Sequence, residues 1–161
     1  MWEIDILNEQ SVLDVDDHWL LEIVRGTLAA QHVGQAQIDV AVVDDATIHA
    51  VNRDHLQHDY PTDVISFVYS AERLDQNASV PASGLRGENL VLEGEILVSA
   101  ETALRLAQAH GWAPQHELAL YVVHGLLHLC GYDDLTEAEQ QIMRAQEQAV
   151  LKIWNLTPHY S

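Results

Sequence analysis

The chain predicts an α+β fold, and three observations carry that prediction. Segments rich in β-branched residues fall before Ser99, helical segments close the chain, and one closing helix is apolar nearly all round. A helix of that kind belongs at the centre of a core. With 161 residues, one domain over 1–161 accommodates the pattern. No apolar run reaches the ~18 residues that a membrane span needs.

Residues 4–7 read as a first strand. Asp17 is placed to cap a helix over 18–30, whose stripe Leu20, Ile23, Val24 and Leu28 has helical spacing. Residues 32–35, with Gly34, form a turn into a second strand over 38–43. Asp44 or Asp45 caps a shorter helix through Asn52, with Ile48 and Val51 inward. A polar loop over 55–61 leads to a third strand over 64–69. Residues 74–89 contain Pro81, Gly84 and Gly87 and predict a mobile excursion. A fourth strand lies within 91–98, broken or bulged near Gly94.

Ser99 caps the next helix, which runs to about His110 and stops at Gly111. Pro114 suits the first turn of the apolar helix, over 115–130. Its polar exceptions, after the first turns, are His124 and His128. Thr136 and Glu139 make a T-x-x-E capping box for the last helix, whose inward stripe is predicted as Ile142, Ala145, Ala149 and Ile153.

The charge is −18, from 25 acidic and 7 basic residues, with Lys152 the single lysine. Such a field attracts cations and repels nucleic acid, so the basic nucleic-acid binders are excluded as a class. An RNA ligand has to be engaged against that field. The single cysteine, Cys130, excludes an internal disulfide framework. The first residues, Met1 to Asp5, lack the basic region of a signal peptide. Together these favour the cytoplasm.

His124 and His128 stand one helical turn apart, so their imidazoles face the same way and can grip one metal ion. Gly131 can end the helix and return the chain, and Asp134 stands where a third ligand is expected. A three-ligand site leaves a coordination position open for water, as in catalytic zinc centres. The spacing H-x-x-x-H-x-x-G-x-x-D is that of the metzincin site, with Gly125 where those proteases carry their general-base glutamate. That argues against a peptidase of the same type. A carboxylate ligand lets manganese or magnesium compete with zinc. Asp133 is the rival ligand, with a turn or cap as its other role. Cys130 is a soft ligand by chemistry and a small core residue by placement.

The string HGLLHLCGYDD, His124 to Asp134, resembles the signature of the YbeY family, metal-dependent endoribonucleases that act as rRNA maturation factors in bacteria. Pro61-Thr62-Asp63-Val64-Ile65-Ser66-Phe67 is similar to that family's P-T-D-V-L-S-F segment. Gly94-Glu95-Ile96-Leu97-Val98-Ser99 is similar to its G-D-I-x-I-S strand and helix start. The resemblance spans about Ile38 to Glu139. It implies a small mixed sheet of about four strands packed with about five helices, with a central metal helix in a zincin-like arrangement. It places the ligands on His124, His128 and Asp134, with one Zn2+ per chain. It further implies single-strand-specific hydrolysis of RNA, in 16S rRNA 3′-end maturation and ribosome quality control. The implied partners are rRNA and the small ribosomal subunit, ribosomal proteins and ribosome-associated GTPases, with no membrane.

Two positions depart from that pattern. The family string usually ends in histidine, where this chain has Asp134. The family also carries an arginine four residues after the position of Asn52, thought to help bind or activate the RNA phosphate. Leu56 stands there, and Arg53 is the nearby substitute. Asp63 is the candidate general base, and His55 and His58 are candidate phosphate contacts. The competing reading is a non-catalytic, metal-binding ribosome assembly factor recruited by basic ribosomal proteins.

Overall fold

A computed structural model of the chain describes residues 1–58, 62–74 and 84–160. Among these, the elements follow as β1 (Trp2–Asn8), α1 (Asp17–Ala30), β2 (Gln35–Val43), α2 (Asp45–Leu56), β3 (Val64–Arg73), β4 (Leu90–Ser99), α3 (Ala100–His110), α4 (Pro114–Leu129) and α5 (Glu137–Leu151). A short 3₁₀ turn, Lys152–Trp154, follows α5. The sheet order is β1-β2-β4-β3. β1, β2 and β4 are parallel, and β3 runs antiparallel to β4. The predicted mixed sheet of an α+β fold is therefore what forms.

Side chains alternate across the sheet, so its two faces differ in kind. Ile38, Val40, Val42, Leu92, Ile96 and Val98 face the main core, where α4 packs on β3 and β4 and α1 packs on β1 and α4. α4 is the centre of that core: Leu118, Val122, Leu126 and Leu127 are at most 1% exposed. Each such burial stabilises the fold by about 1.5–3 kcal/mol. The opposite face is apolar only at one end, where Ala41, Val43, Ile65 and Leu97 lie under Ile48 of α2. Elsewhere it carries acids, and the register sets Asp5 beside Asp39 and Asp39 beside Glu95.

Several expectations are corrected in detail. Asp16, not Asp17, caps α1, accepting from the backbone N–H of His18 at 2.9 Å. Asp44 caps α2, at 2.8 Å from Thr47 N, while Asp45 turns to accept from Thr102 Oγ1 at 2.7 Å. α2 continues one turn past Asn52 and ends where Gln57 adopts a left-handed conformation. β4 is unbroken at Gly94. The irregularity lies across the ladder, between Val68 and Ser70 of β3. Gly94 is required for close approach instead: a Cβ there would lie 2.8 Å from the Phe67 carbonyl oxygen and 2.9 Å from Leu129 of α4.

Most of the predicted excursion, residues 75–83, lies outside the described residues. Its C-terminal end is packed against the body of the chain. Gly87 is buried, and Arg86 Nη1 donates to Glu139 at 3.0 Å and to the Gly131 carbonyl at 3.1 Å. The α5 stripe is also displaced. Met143, Glu147, Val150 and Leu151 are buried, whereas Ile142 and Ile153 are 39% and 54% exposed. The inward face admits a carboxylate because partners on other elements satisfy it, which apolar spacing within the helix does not reveal.

Candidate metal centre and its cleft

α4 carries His124 and His128 on the one flank that its apolar contacts leave open to a cleft. The helix ends in a tight reversal: Gly131 N–H donates to the His128 carbonyl and Tyr132 N–H to the Leu127 carbonyl, both at 3.0 Å. Gly131 takes φ +102°, which an L side chain rarely adopts. Asp133 Oδ1 then accepts from Asp134 N at 2.7 Å, so Asp133 takes the turn role. Gln140 Nε2 holds the Asp134 carbonyl at 3.0 Å, and the Asp134 carboxylate faces the histidines.

Three donor atoms converge there. His124 Nε2 and His128 Nε2 are 3.0 Å apart, and Asp134 oxygens lie 3.5 Å and 3.7 Å from them. Ligands at ~2.0 Å around a tetrahedral ion are separated by roughly 3.3 Å, so the triangle has the size of a metal's coordination face. The outer nitrogens are engaged. His124 Nδ1 donates to Glu147 Oε2 at 3.2 Å, and His128 Nδ1 to the Tyr132 carbonyl at 3.0 Å. A carboxylate and a carbonyl only accept, so both protons sit on Nδ1 and both Nε2 lone pairs point at the shared point. Two lone pairs at that distance repel unless a proton or a cation lies between them. His124, His128 and Asp134 thus fit a divalent ion, and Asp134, 39% exposed in its side chain, leaves one side open to solvent.

Burial opposes the charged form of His124, but Glu147, followed by Asp134 and Asp63, outweighs it and holds the imidazole above its ordinary pKa. Glu147 is 4% exposed and is itself held by Tyr160, whose hydroxyl donates to Oε1 at 2.7 Å. Sequence reasoning missed Glu147. Its one signal was an acid four residues after Met143 and three before Val150, inside what proves to be the buried face.

A cleft of about 500 Å³ opens above the triad, walled by α2, β3 and α4. Asn52, Leu56, Thr62, Asp63 and Ser66 line it together with His124, and no described lining residue is an arginine or a lysine. Asp63 is therefore brought to the site, its Oδ1 accepting from Val64 N at 2.8 Å. Arg53 is not brought there: its Nε lies 3.1 Å from Asp54 on the exposed side of α2. His55 packs edge-on against Phe67, in a separate groove with Tyr69. Gly125 faces the sheet, where a Cβ would meet Ile96 at 3.0 Å and Val64 at 3.3 Å, so the position has no room for a glutamate. Cys130 is buried, and burial pushes its thiol up to about 12, as expected of a core residue.

Residues 5–155 match the family model described as Endoribonuclease YbeY. The Endoribonuclease YbeY of Desulfitobacterium hafniense is 39% identical over 156 residues, covering 93% of this chain and 92% of that protein. The Endoribonuclease YbeY of Rhodopirellula baltica is 40% identical over 137 residues, covering 82% of this chain. The match covers 62% of that longer relative, less than two thirds of its length. In fold, the chain is similar to the solution structure of TM1509 from Thermotoga maritima, with TM-score 0.56 at 22% identity, covering 97% of this chain and 94% of that one.

Proposed function

The chain belongs to the Endoribonuclease YbeY family, and from that premise we propose that it is a zinc-dependent, single-strand-specific endoribonuclease. Its proposed task is 16S rRNA 3′-end maturation and ribosome quality control in the cytoplasm, on the small ribosomal subunit. The observation that carries this reading is the convergence of His124, His128 and Asp134 donor atoms within 4.8 Å of one another beside a solvent-open cleft. Zinc suits a donor set of two imidazole nitrogens and one carboxylate oxygen, and Asp134 admits manganese as an alternative.

An ion held by His124, His128 and Asp134 would supply Lewis acidity toward a phosphate oxygen and toward water. The chain's own groups do the rest. Glu147 and the Tyr132 carbonyl fix the two imidazoles, as carboxylate and carbonyl partners of metal-binding histidines do. Asp63, on the cleft wall, is the proposed acceptor of the attacking water's proton. Ser66 on β3 and Thr62 just before it, whose hydroxyl donates to Asp63 Oδ1 at 3.2 Å, are proposed to meet the sugar–phosphate backbone.

Purified protein should carry about one metal ion per chain, and chelated protein or His124→Ala should not cut single-stranded RNA. Equal cutting by His124→Ala would trace the activity to a contaminant and remove the reading. The absence of a lysine or arginine among the described residues lining the cleft favours a second reading, a non-catalytic assembly factor that engages basic ribosomal proteins or ribosome-associated GTPases. Tight binding to the small subunit without turnover of any RNA would select it.

A further inference from the structure

We infer that Arg144 of α5 forms a phosphate-binding subsite on the far side of the metal centre from the main cleft. The inference rests on the endoribonuclease reading and names where that activity would hold its substrate's backbone. In a chain of charge −18, cations are few and most are committed. Arg25 pairs with Glu22, Arg53 with Asp54, Arg86 with Glu139 and Arg105 with Asp45. Among the described residues, the Arg144 guanidinium forms no ion pair. It lies over the Tyr160 ring, 5.3 Å from its centroid, a contact that leaves its N–H groups able to bind an anion.

Its position gives that guanidinium a use. A second hollow, of about 260 Å³, is lined by Arg144 and Tyr160 together with His124, Asp134, Gln140 and Glu147. Two of the three candidate metal ligands thus border both the main cleft and this hollow. A strand lying across the ion would leave one and enter the other. Among the described residues that line it, the main cleft offers a phosphodiester no arginine or lysine, whereas the hollow offers Arg144. The two carboxylates in the hollow do not cancel it. Glu147 has one oxygen on His124 and the other on Tyr160, and Asp134 faces the two histidines. A planar guanidinium also matches the two oxygens of a phosphodiester, which an ammonium does not. Arg144 therefore contacts the phosphate next to the one cleaved, and it does so through its fork of donors.

The test uses metal-loaded protein and a single-stranded oligoribonucleotide. Arg144→Gln should keep the wild-type metal content and fold, since the side chain is exposed. It should weaken oligonucleotide binding and raise KM roughly tenfold, with a smaller change in kcat. The slope of log affinity against log salt should become less negative by about 0.7, one phosphate contact on a single strand. Arg144→Lys should recover part of the affinity, and Arg25→Gln should change neither quantity. Unchanged affinity and salt slope in Arg144→Gln would overturn the inference, as would a loss of bound metal, which would make Arg144 a support of the centre. Wild-type protein that binds but never cleaves, with the same loss in Arg144→Gln, would remove the nuclease reading and leave the subsite standing.

Discussion

Glu147 shows how one buried carboxylate sets the character of the centre. It holds the His124 proton on Nδ1 and so leaves Nε2 able to serve as a ligand. Glu147→Gln should lower metal affinity about 10- to 100-fold by competition against a chelating dye, with little change in fold. The pH behaviour of metal-free protein follows from the raised His124 pKa. The stability that the charged His124 gains from Glu147 is fully present below the ordinary imidazole value of 6.5 and is lost as pH rises through the raised value. Metal-free protein should therefore denature more easily at about pH 8 than at about pH 6, and Glu147→Gln should flatten that difference. Metal uptake runs the other way, because the proton competes for the same imidazole. Cys130 gives a separate check. With its thiol held up to about 12 by burial, folded protein should resist alkylation at about pH 8 and react once denatured.

At the scale of elements, the closing helices and the strands were legible because their periodicities are unmixed. α4 reads as buried on every side, and Gly131 and Asp134 stand at offsets that only a helix followed by a reversal explains. What stayed hidden depends on contacts between elements. The α5 face is set by His124 and Tyr160, which lie on α4 and beyond the 3₁₀ turn, so no pattern inside α5 points to Glu147. Gly94 was legible as unusual, but its reason lies in Phe67 and Leu129, remote in sequence. Gly94→Ala tests that reason. A methyl group would be forced against a backbone oxygen and the helix that bears His124 and His128, so stability should fall by about 1–3 kcal/mol in denaturant unfolding. A stability equal to wild type would mean that β4 and α4 can separate at no cost.

Across the whole molecule, charge divides the two faces of the sheet. α4 packs on one face, and the acidic rows of β1, β2 and β4 lie on the other. Among the described residues no helix is long and apolar enough to cross a membrane, and on the open face of the sheet Asp5 is exposed while Asp39 and Glu95 are half-buried. That surface carries a cost. Asp5, Asp39 and Glu95 are direct neighbours on adjacent strands, where like charges destabilise a sheet. Burial, then Asp5 and Glu95, hold the Asp39 carboxyl above its ordinary pKa. A raised carboxylate stabilises the fold only while it is protonated, fully below the ordinary value of 3.8, and that contribution is lost as pH rises through the raised one. At neutral pH Asp39 is therefore a net liability. Asp39→Asn should raise stability by about 0.2–1 kcal/mol near pH 7, toward the low end because solvent screens the row. The gain should shrink in high salt and vanish in acid, where the wild-type carboxyl is protonated as well. A stabilisation that persisted at low pH would place its origin in packing and not in the charge of this face.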